Sequence, residues 1–483
     1  MPSIALPVSL RGQLLSGSRF NPVSLFSAGE QGIWLEPSDL TTMFQDRAGT
    51  TPVTTPGQTV GLRLDKSKGG VGSELFSSFT STGLWTVSGS TYSISSAASG
   101  TDLTVNFTGT VGKRYVISFT ASGISGSVIF YPLISNPPSV VNGTNVIREV
   151  SNVGFFIIRA ASGASATISN ISVKELPGNH AVAPTDAARP TYGIEPKTGR
   201  RNLLLATDTM ATQSLTVAAV AHTLAFTGTG TVTLTGASIA GPLIGTGASN
   251  RVSLTFTPTA ASLTLTVVGS VTLAQLELGS TATNYQRVGT AFDVTEAGVA
   301  TVHYVQYDGT DDSFSTSSID FTATNKMSVF AGVRKLGNGM IAEFSASADA
   351  NNGSFYYNAG EVSAGDLSAA LRGSALTKLV GSAATLPVTR VESVAFDIAG
   401  TSRATEIFPR INGASVSLSG FGAADAGTGN FGNYPLFIGR RNNATFPFNG
   451  RDYGIIVVGK TASATEITNT ESYLAANTSG VTI

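Results

Sequence analysis

Short runs in which apolar and polar side chains alternate with a period of two dominate this chain of 483 residues. The runs at 102–108, 113–120 and 251–257 follow this pattern, and Gly, Ser and Asn residues are frequent between such runs. Alternation of this kind places one face of a β-strand on a core and the other face in water. Runs that recur about every 8–12 residues predict antiparallel β-sandwiches, so we predict an all-β protein.

One segment near the C-terminus has a helical pattern instead. Ser463 and Glu466 have the spacing of a capping box, in which each side chain accepts a backbone N–H of the other residue. Ile467 and Leu474 follow on one face of the same helix. The pattern predicts a short helix over 464–476 that lies on the last sandwich.

Proline content and strand spacing divide the chain into five regions, which we predict to follow one another as a string. Residues 1–73 are Pro-rich and irregular, and we expect an extended region. Residues 74–176 and 201–290 each predict a jelly-roll-like β-sandwich, and 177–200 is a Pro-rich linker. Residues 291–483 predict a larger sandwich that carries the C-terminal helix.

Composition and charge exclude several classes of protein. The chain has 29 Lys and Arg against 30 Asp and Glu, a net charge of -1. Only 12% of its residues are charged, against about 25% in an ordinary soluble domain, so it lacks the basic field that a nucleic-acid-binding protein needs. No Cys is present, which excludes disulfides, thiol nucleophiles and Cys-based metal sites.

The apolar runs and the histidines argue against further classes of protein. No apolar run approaches the roughly 20 residues that span a bilayer, so we expect no membrane insertion. We expect no secretion signal either, because the first residues lack a basic segment followed by an apolar one. The three histidines, His180, His222 and His303, form no Ser-His-Asp pattern that can be argued from sequence.

Five stretches of the first region carry a recognisable pattern, at 26–34, 37–40, 44–46, 49–53 and 60–67. Together they resemble an N-terminal segment of tailed-bacteriophage and prophage virion proteins. In that family the segment commonly precedes carbohydrate-binding-like jelly rolls and a concanavalin A-like (laminin-G-like) sandwich.

Later parts of the chain are similar to the same family. Stretches similar to its concanavalin A-like sandwich lie at 307–314, 325–334, 437–441, 446–456 and 471–475. Residues 284–287 resemble the ends of phage carbohydrate-binding-like modules. The fold family includes lectins, glycosidases and inert spacers, so the fold alone does not decide the function.

The resemblance implies a non-enzymatic structural protein of a phage particle, a fibre or surface appendage of tail, baseplate or capsid that is made in the bacterial cytoplasm. Residues 1–73 would attach it to other virion proteins. The C-terminal lectin-like sandwich would contact host surface glycans. Because sandwich edge strands need covering, we expect a homo-oligomer, and a trimer by analogy with phage fibres.

The tightest acidic cluster is Asp308, Asp311 and Asp312, within the sequence Tyr-Asp-Gly-Thr-Asp-Asp. Three interpretations are open. Asp, Gly and Thr are typical of a tight turn between strands. Carboxylate oxygens also bind Ca²⁺, the one cofactor that we consider. A catalytic carboxylate pair is the third, but we see no Glu-x-Asp-x-Glu pattern of the kind that hydrolytic relatives in this fold place on one strand.

Glycan binding would use an exposed aromatic ring beside amide or carboxylate groups, because a pyranose has an apolar face and a hydroxylated rim. The candidates are Trp85, Tyr131, Tyr356, Tyr357, Asn351 and Asn352. Trp34 is predicted to be a core anchor of the first region. Two alternative functions stay open, a tail-associated glycan depolymerase and a ligand-free capsid decoration or spacer.

Overall fold

The computed structural model describes residues 20–81, 84–98, 101–110, 112–131, 139–150, 154–347, 350–361, 365–381, 384–442 and 444–483. Its α-helices are α1 (Arg403–Glu406) and α2 (Ala464–Asn477), and short 3-10 helices occupy Pro22–Phe26 and Leu40–Thr42. Neither α1 nor α2 has the length or apolar character of a bilayer-spanning helix, and the described ranges contain no other α-helix. The remaining regular structure is β-strand, which confirms the predicted all-β class with a short C-terminal helix.

The strands are numbered along the chain. The first three are β1 (Gly32–Leu35), β2 (Met43–Phe44) and β3 (Leu62–Arg63). The next nine are β4 (Phe76–Ser81), β5 (Thr86–Ser88), β6 (Thr91–Ile94), β7 (Thr101–Phe107), β8 (Arg114–Ser125), β9 (Val128–Tyr131), β10 (Gly143–Val150), β11 (Phe155–Ala160) and β12 (Ser165–Leu176). Then follow β13 (Ala181–Val182) and β14 (Thr191–Pro196).

A further seven strands are β15 (Gln213–Val217), β16 (His222–Gly228), β17 (Thr231–Gly236), β18 (Leu243–Ile244), β19 (Gly247–Phe256), β20 (Ala261–Val268) and β21 (Val271–Leu278). The last seventeen are β22 (Gln286–Thr290), β23 (Asp293–Glu296), β24 (Thr301–Asp308), β25 (Phe314–Ser315), β26 (Ile319–Asp320), β27 (Lys326–Lys335), β28 (Gly339–Phe344), β29 (Ser354–Ala359), β30 (Leu367–Arg372), β31 (Leu376–Gly381), β32 (Val388–Asp397), β33 (Ile407–Ile411), β34 (Ala414–Ser415), β35 (Ser419–Gly422), β36 (Asn433–Tyr434), β37 (Leu436–Ile438) and β38 (Asn449–Val458).

Two ten-stranded sheets form a large sandwich. The first sheet has the order β22-β23-β14-β24-β38-β27-β32-β33-β34, with β1 paired to β38. The second has the order β2-β3-β13-β25-β37-β28-β29-β30-β31-β35. Their facing sides enclose one apolar core, in which Phe344, Phe355 and Phe396 lie at centroid separations of 5.2 to 5.7 Å. Such ring contacts add to the hydrophobic stabilisation of the core.

Residues 20–73 differ from the extended segment that the sequence predicts for 1–73, and residues 1–19 lie outside the described residues. Strand β1 pairs with β38 and strand β3 pairs with β13, while Ile33, Leu35 and Met43 lie fully buried in the core of the large sandwich. Residues 177–200 likewise contribute β13 and β14 to the two sheets instead of forming a linker. These strands have two to six residues between Pro-containing turns, so their alternation is too short to be recognised in the sequence.

Two smaller sandwiches are inserted into the large one, so the order along the chain is not a simple string. Strands β4–β12 form a five-stranded and a four-stranded sheet, and β15–β21 form a four-stranded and a three-stranded sheet. Each insert begins and ends at neighbouring points, as the N–H of Gly72 donates to Glu175 O and the N–H of Leu203 donates to Leu276 O, both at 2.8 Å. We call them the first insert (Phe76–Leu176) and the second insert (Gln213–Leu278) after their outermost strands.

Helix α2 begins as the sequence predicts. The N–H of Ser463 donates to Glu466 Oε2 at 2.8 Å, and the N–H of Glu466 donates to Ser463 Oγ at 3.3 Å, which completes the capping box. Leu474 is buried against Phe330 and Trp34 on the outer face of the first sheet. The helix therefore covers the side of the large sandwich that faces away from its main core.

Candidate functional site

A cleft of about 430 Å³ opens where the N-terminal part of the large sandwich meets the end of the first insert. Its walls come from the 3-10 helix Pro22–Phe26, from β1, from the turn after β3 and from the chain just after β12. Volumes of roughly 300–1,000 Å³ are typical of small-molecule sites. Trp34, Asp39, Lys66 and His180 supply its aromatic, acidic and basic groups.

The carboxylate of Asp65 joins the walls of the cleft through hydrogen bonds. It accepts the backbone N–H groups of Trp34 at 2.8 Å, Ser67 at 2.8 Å and Asn179 at 2.7 Å. Burial raises the pKa of Asp65, and the N–H donors act against that rise. Because its donors come from β1, from the turn after β3 and from the chain after the first insert, Asp65 fixes the relative positions of three walls.

His180 links the first insert to the hydrogen-bonded residues around Asp65. Its Nδ1 accepts the N–H of Asp65 at 3.0 Å, and its Nε2 lies 2.9 Å from Leu176 O, the last residue of β12. Nδ1 therefore carries no proton and Nε2 donates. Burial lowers the pKa of His180 to about 4, so the ring is neutral at physiological pH. We assign it a positioning role at the junction.

Lys66 and Trp34 form the aromatic wall of the cleft. The ammonium of Lys66 lies 4.5 Å from the ring centroid of Trp34 and pairs with Glu36 at 2.5 Å and Asp39 at 2.9 Å. The indole N–H of Trp34 has no hydrogen-bond partner among the described residues. Because the one cation is balanced by carboxylates, the cleft offers hydrogen-bonding groups without a strong excess of either charge.

The remaining lining combines hydroxyl and apolar groups. Thr41 is exposed, and its hydroxyl donates to Asp39 Oδ1 at 2.6 Å. Val23, Leu64 and Val71 add apolar surface to the same walls. Asp39, whose side chain is 32% exposed, is the carboxylate of the cleft that a ligand reaches most readily.

Sequence reasoning considered His180 among three histidines without a catalytic pattern, and it singled out Trp34 for a core role. That role agrees with its packing, since it is 5% exposed and contacts Tyr473 edge to face at 6.1 Å. Asp65, Lys66 and His180 were missed as a group because more than a hundred residues separate His180 from the other two. A signal was available, since Asp65 and Lys66 fall in the stretch 60–67 that carries the family resemblance.

Two of the aromatic rings predicted to contact sugars are core residues instead. Trp85 is 5% exposed within the core of the first insert, and Tyr357 is 1% exposed within the core of the large sandwich. A stacking platform needs an open ring face, so the predicted role is wrong for both. Tyr131 is half-buried, and the guanidinium of Arg159 lies 4.9 Å from its ring centroid.

Tyr356 lies on the opposite face of β29 from Tyr357, at the outer side of the second sheet. It is nevertheless only 3% exposed, because Arg441 and Lys378 each lie 5.1 Å from its ring centroid. These cations pair in turn with Glu343 at 3.1 Å and Glu361 at 2.9 Å. With two cations close to its ring, Tyr356 does not present the exposed plane that the sequence predicted.

The two predicted amides lie in the turn that precedes β29. Asn351 Oδ1 accepts the N–H of Ala346 at 3.1 Å, and Asn351 O accepts the Ser354 hydroxyl at 2.7 Å. Asn352 is exposed, and its backbone O accepts the Tyr434 hydroxyl at 2.9 Å. The side chain of Asn351 and the backbone O of Asn352 therefore stabilise this turn.

The acidic cluster forms the turn after β24. Carboxylate oxygens of Asp308, Asp311 and Asp312 all lie within 4.8 Å of one another. Asp308 Oδ1 accepts the N–H of Thr310 at 2.7 Å, and Asp312 Oδ2 accepts the N–H of Asp308 at 3.0 Å, which is the pattern of an Asp-stabilised turn. Burial, followed by the charge of Asp308, raises the pKa of Asp312 to about 7. Three oxygen donors so placed fit a divalent cation, and the calcium site stays a prediction.

Comparisons with known proteins add little. No protein-family model matches the chain, and no curated protein matches it. Among solved structures it is similar to the receptor-binding domain of botulinum neurotoxin C/D mosaic serotype, with 11% identity over 35% of this chain and 42% of that chain and a TM-score of 0.26. Two HCR/D mutants are similar over the same shares, at 11% and 13% identity and a TM-score of 0.25. The chain spans about two fifths of the length of these structures.

Proposed function

We propose that this protein is a non-enzymatic structural component of a bacteriophage particle, a fibre or surface appendage of the virion, and that it binds a host surface glycan in the cleft beside Trp34. Three β-sandwiches in one chain, a charged fraction of only 12% and the family resemblance of its first region support the virion role. The composition of the cleft supports the ligand class.

The single observation that carries the ligand class is the mixture of groups in the cleft. A sugar ring has an apolar face and a rim of hydroxyls that donate and accept hydrogen bonds. Val23, Leu64 and Val71 supply apolar surface to the cleft. Beside the buried indole of Trp34 lie a part-exposed carboxylate, Asp39, an exposed hydroxyl, Thr41, and an ammonium, Lys66. A neutral or weakly charged saccharide matches this arrangement better than a strongly charged ligand does, because carboxylates already neutralise Lys66.

The same proposal covers how the protein attaches to other virion proteins and how its copies pack together. Because residues 20–73 are tied into the large sandwich, their attachment to other virion proteins would use a folded surface and not an extended strap. Strands β34 and β35 end the two large sheets and are exposed, so packing of copies, as in a trimer, would cover these edges.

The test is a calorimetric titration of the whole chain with purified host capsular polysaccharide or lipopolysaccharide. We expect saturable binding that the substitution Asp39→Asn weakens about tenfold or more, because it removes a charged acceptor. Asp186→Asn is the matched control, since Asp186 is 75% exposed and does not line the cleft. Its affinity should equal that of the unsubstituted protein.

Four outcomes would contradict the proposal. Equal binding by the Asp39→Asn variant would place the ligand elsewhere, and no binding to any host glycan would favour a ligand-free spacer. New reducing ends in the incubated polysaccharide would favour the depolymerase. Failure to find the labelled chain on assembled phage particles by electron microscopy would overturn the virion role independently of the glycan.

A further inference from the structure

The four-stranded sheet of the second insert, in the order β15-β20-β17-β18, has an outer face that is open to solvent. Along β17 and β20 the residues Val232, Leu234, Leu263 and Leu265 point inward and lie in the core of the insert. Successive side chains of a strand point to opposite faces, so the alternate residues point outward. The outward residues, which we call the hydroxyl face, are Ser214, Thr216, Thr231, Thr233, Thr235, Ile244, Ser262, Thr264, Thr266 and Val268.

Ser and Thr residues are aligned across the strands of the hydroxyl face. Thr266 pairs with Thr233, and Thr264 pairs with both Thr235 and Ser214. Ser214 Oγ and Thr264 Oγ1 lie 2.7 Å apart. Thr233, Thr235 and Thr266 are exposed, and within the described residues their hydroxyls make no hydrogen bond. The face therefore presents a row of hydroxyls that can bond to a partner.

Charge is absent from this face and nearly absent from the whole insert. Arg251 is the only Lys, Arg, Asp or Glu between positions 209 and 276, whereas such residues make up 12% of the chain. Arg251 lies on β19, which belongs to the other sheet of the insert. Nucleic acids and other polyions are recognised through charge, so the hydroxyl face does not fit them. A surface without charge is instead prone to associate.

The chemistry of the hydroxyl face fits a second copy of itself. A Ser or Thr hydroxyl both donates and accepts hydrogen bonds, so two identical hydroxyl faces can bond to each other, whereas identical charged faces repel. Ser, Thr and Val side chains are short, so ordering them costs little conformational entropy. None of the ten residues is aromatic, so the face lacks the ring on which a sugar stacks.

An apolar strip at one end of the face adds a further driving force. Ile244 and Val268 both pair with Thr231, from its two sides, and they are 58% and 69% exposed. Covering these side chains with a second copy would remove apolar surface from water, which favours association.

We propose that two copies of this chain meet through their hydroxyl faces about a two-fold axis. A two-fold contact uses the same patch on both partners, which is the arrangement that a self-complementary surface allows. The contact uses neither the edge strands β34 and β35 nor the residues of the cleft. It can therefore fail while the proposed trimer packing and the glycan site stand, and they can fail without it.

The test is light scattering on the purified full chain over a range of concentrations. We expect the mass of an even number of chains. Thr266→Lys, on the central strand β20, places an ammonium on each of the two facing surfaces. It should raise the dissociation constant of the contact at least about tenfold and halve the mass at a fixed concentration. Ser253→Lys is the matched control, because Ser253 is exposed on β19 in the other sheet, and it should leave the mass unchanged.

A mixing experiment separates a lost contact from a lost fold. Thr266→Glu alone should halve the mass as Thr266→Lys does, because like charges again face each other. An equal mixture of the two variants should restore the original mass, since opposite charges then meet across the contact. Both variants should keep the circular dichroism spectrum of the unsubstituted chain.

Three results would overturn the proposed contact. An unsubstituted chain that stays a single copy, or that forms only a trimer, contains no such pair. A mass that neither variant at Thr266 changes would place the contact elsewhere on the chain. Variants that separate but do not recombine on mixing would show that the two faces do not meet each other. If a single-copy chain loses host polysaccharide binding on Thr266→Lys, the face binds saccharide and not a second copy.

Discussion

The two inserts have similar architecture but join the large sandwich in different ways. At the second insert, Asn202, Gln275 and Gln286 are fully buried, and Asn202 Nδ2 donates to Ala274 O and Gln286 O, both at 2.9 Å. At the first insert, the lateral contacts are long cationic side chains. Arg148 lies 4.5 Å from the ring centroid of Phe44 and donates to a backbone O at 3.3 Å.

This difference between the two junctions indicates where the molecule is rigid and where a ligand gains access. Buried polar groups that are fully hydrogen-bonded specify one geometry, because any displacement leaves donors and acceptors unsatisfied. Long side chains at a half-exposed contact permit more movement at lower cost. The cleft lies at the first junction, where the buried hydrogen bonds of Asp65 and His180 fix the end of the insert and the half-exposed contact of Arg148 permits movement beside it.

The largest expected effect is at the second junction. Asn202→Ala removes both donated bonds and the acceptor for the N–H groups of Leu204 and Leu276, each at 3.2 Å. Several buried groups would lose partners, so we expect the free energy of unfolding to fall by about 3 kcal/mol. Chemical denaturation followed by circular dichroism measures this fall.

The matched change at the first junction is Arg148→Ala. We expect a loss of only about 0.5–1 kcal/mol, the value of one partly exposed cation–π contact. Equal losses for the two variants would show that the two junctions are held equally firmly, and the comparison would then fail.

A second prediction concerns the pH response of the first junction. The pKa of His180 is about 4 in the folded chain and near 6.5 when unfolded, so the unfolded state binds a proton first as the pH falls. The contribution of neutral His180 to the free energy of unfolding is complete above pH 6.5. It declines as the pH falls toward 4, by at most about 3 kcal/mol. Unfolding of the His180→Gln variant should show a smaller loss between pH 7 and 4.5 than the unsubstituted chain, and an identical loss would contradict the assignment.

Asp312, in the large sandwich, should make stability depend on pH in the opposite direction to His180. Its pKa of about 7 exceeds the unfolded value of 3.8, so its contribution is favourable at low pH and is lost as the pH rises through 7. Asp312→Asn should therefore stabilise the chain by about 1–2 kcal/mol at pH 8 and leave it unchanged at pH 4. Thermal unfolding at both values checks this.

The same thermal unfolding measurement also tests the predicted calcium site. If the predicted site binds Ca²⁺, the ion should raise the unfolding temperature of the unsubstituted chain at pH 8, and a chelator should reverse the rise. Asp312→Asn should abolish the response. A chain that is insensitive to millimolar Ca²⁺ would leave the three carboxylates as a turn only.

Long strands could be predicted from the sequence because their alternation is complete, as in β7, where every second residue is buried. Strands of two to four residues, such as β2 and β13, carry too little pattern, and their pairing depends on partners far along the chain. The same limit applies to buried Lys335, whose Nζ donates to Glu392 Oε1 on the neighbouring strand at 2.7 Å and to the backbone O of Asp366 in the other sheet at 2.8 Å.

Aromatic residues show a related limit. Tyr356 and Tyr357 face opposite sides of β29, and alternation alone predicts that one of them is exposed. Both are buried, because Phe446 from the loop after β37 and the cations around Tyr356 cover the outer face. Coverage by a distant loop has no local sequence signature, whereas the capping box of α2 is local and was predictable.

The most direct test of the account uses the two tryptophans as reporters. Trp85→Phe leaves Trp34 as the only indole in the chain. Titration of this variant with host surface polysaccharide should change Trp34 fluorescence saturably, with the same midpoint as the heat of binding. Saturable binding without any change in Trp34 fluorescence would contradict the claim that the cleft is the glycan site.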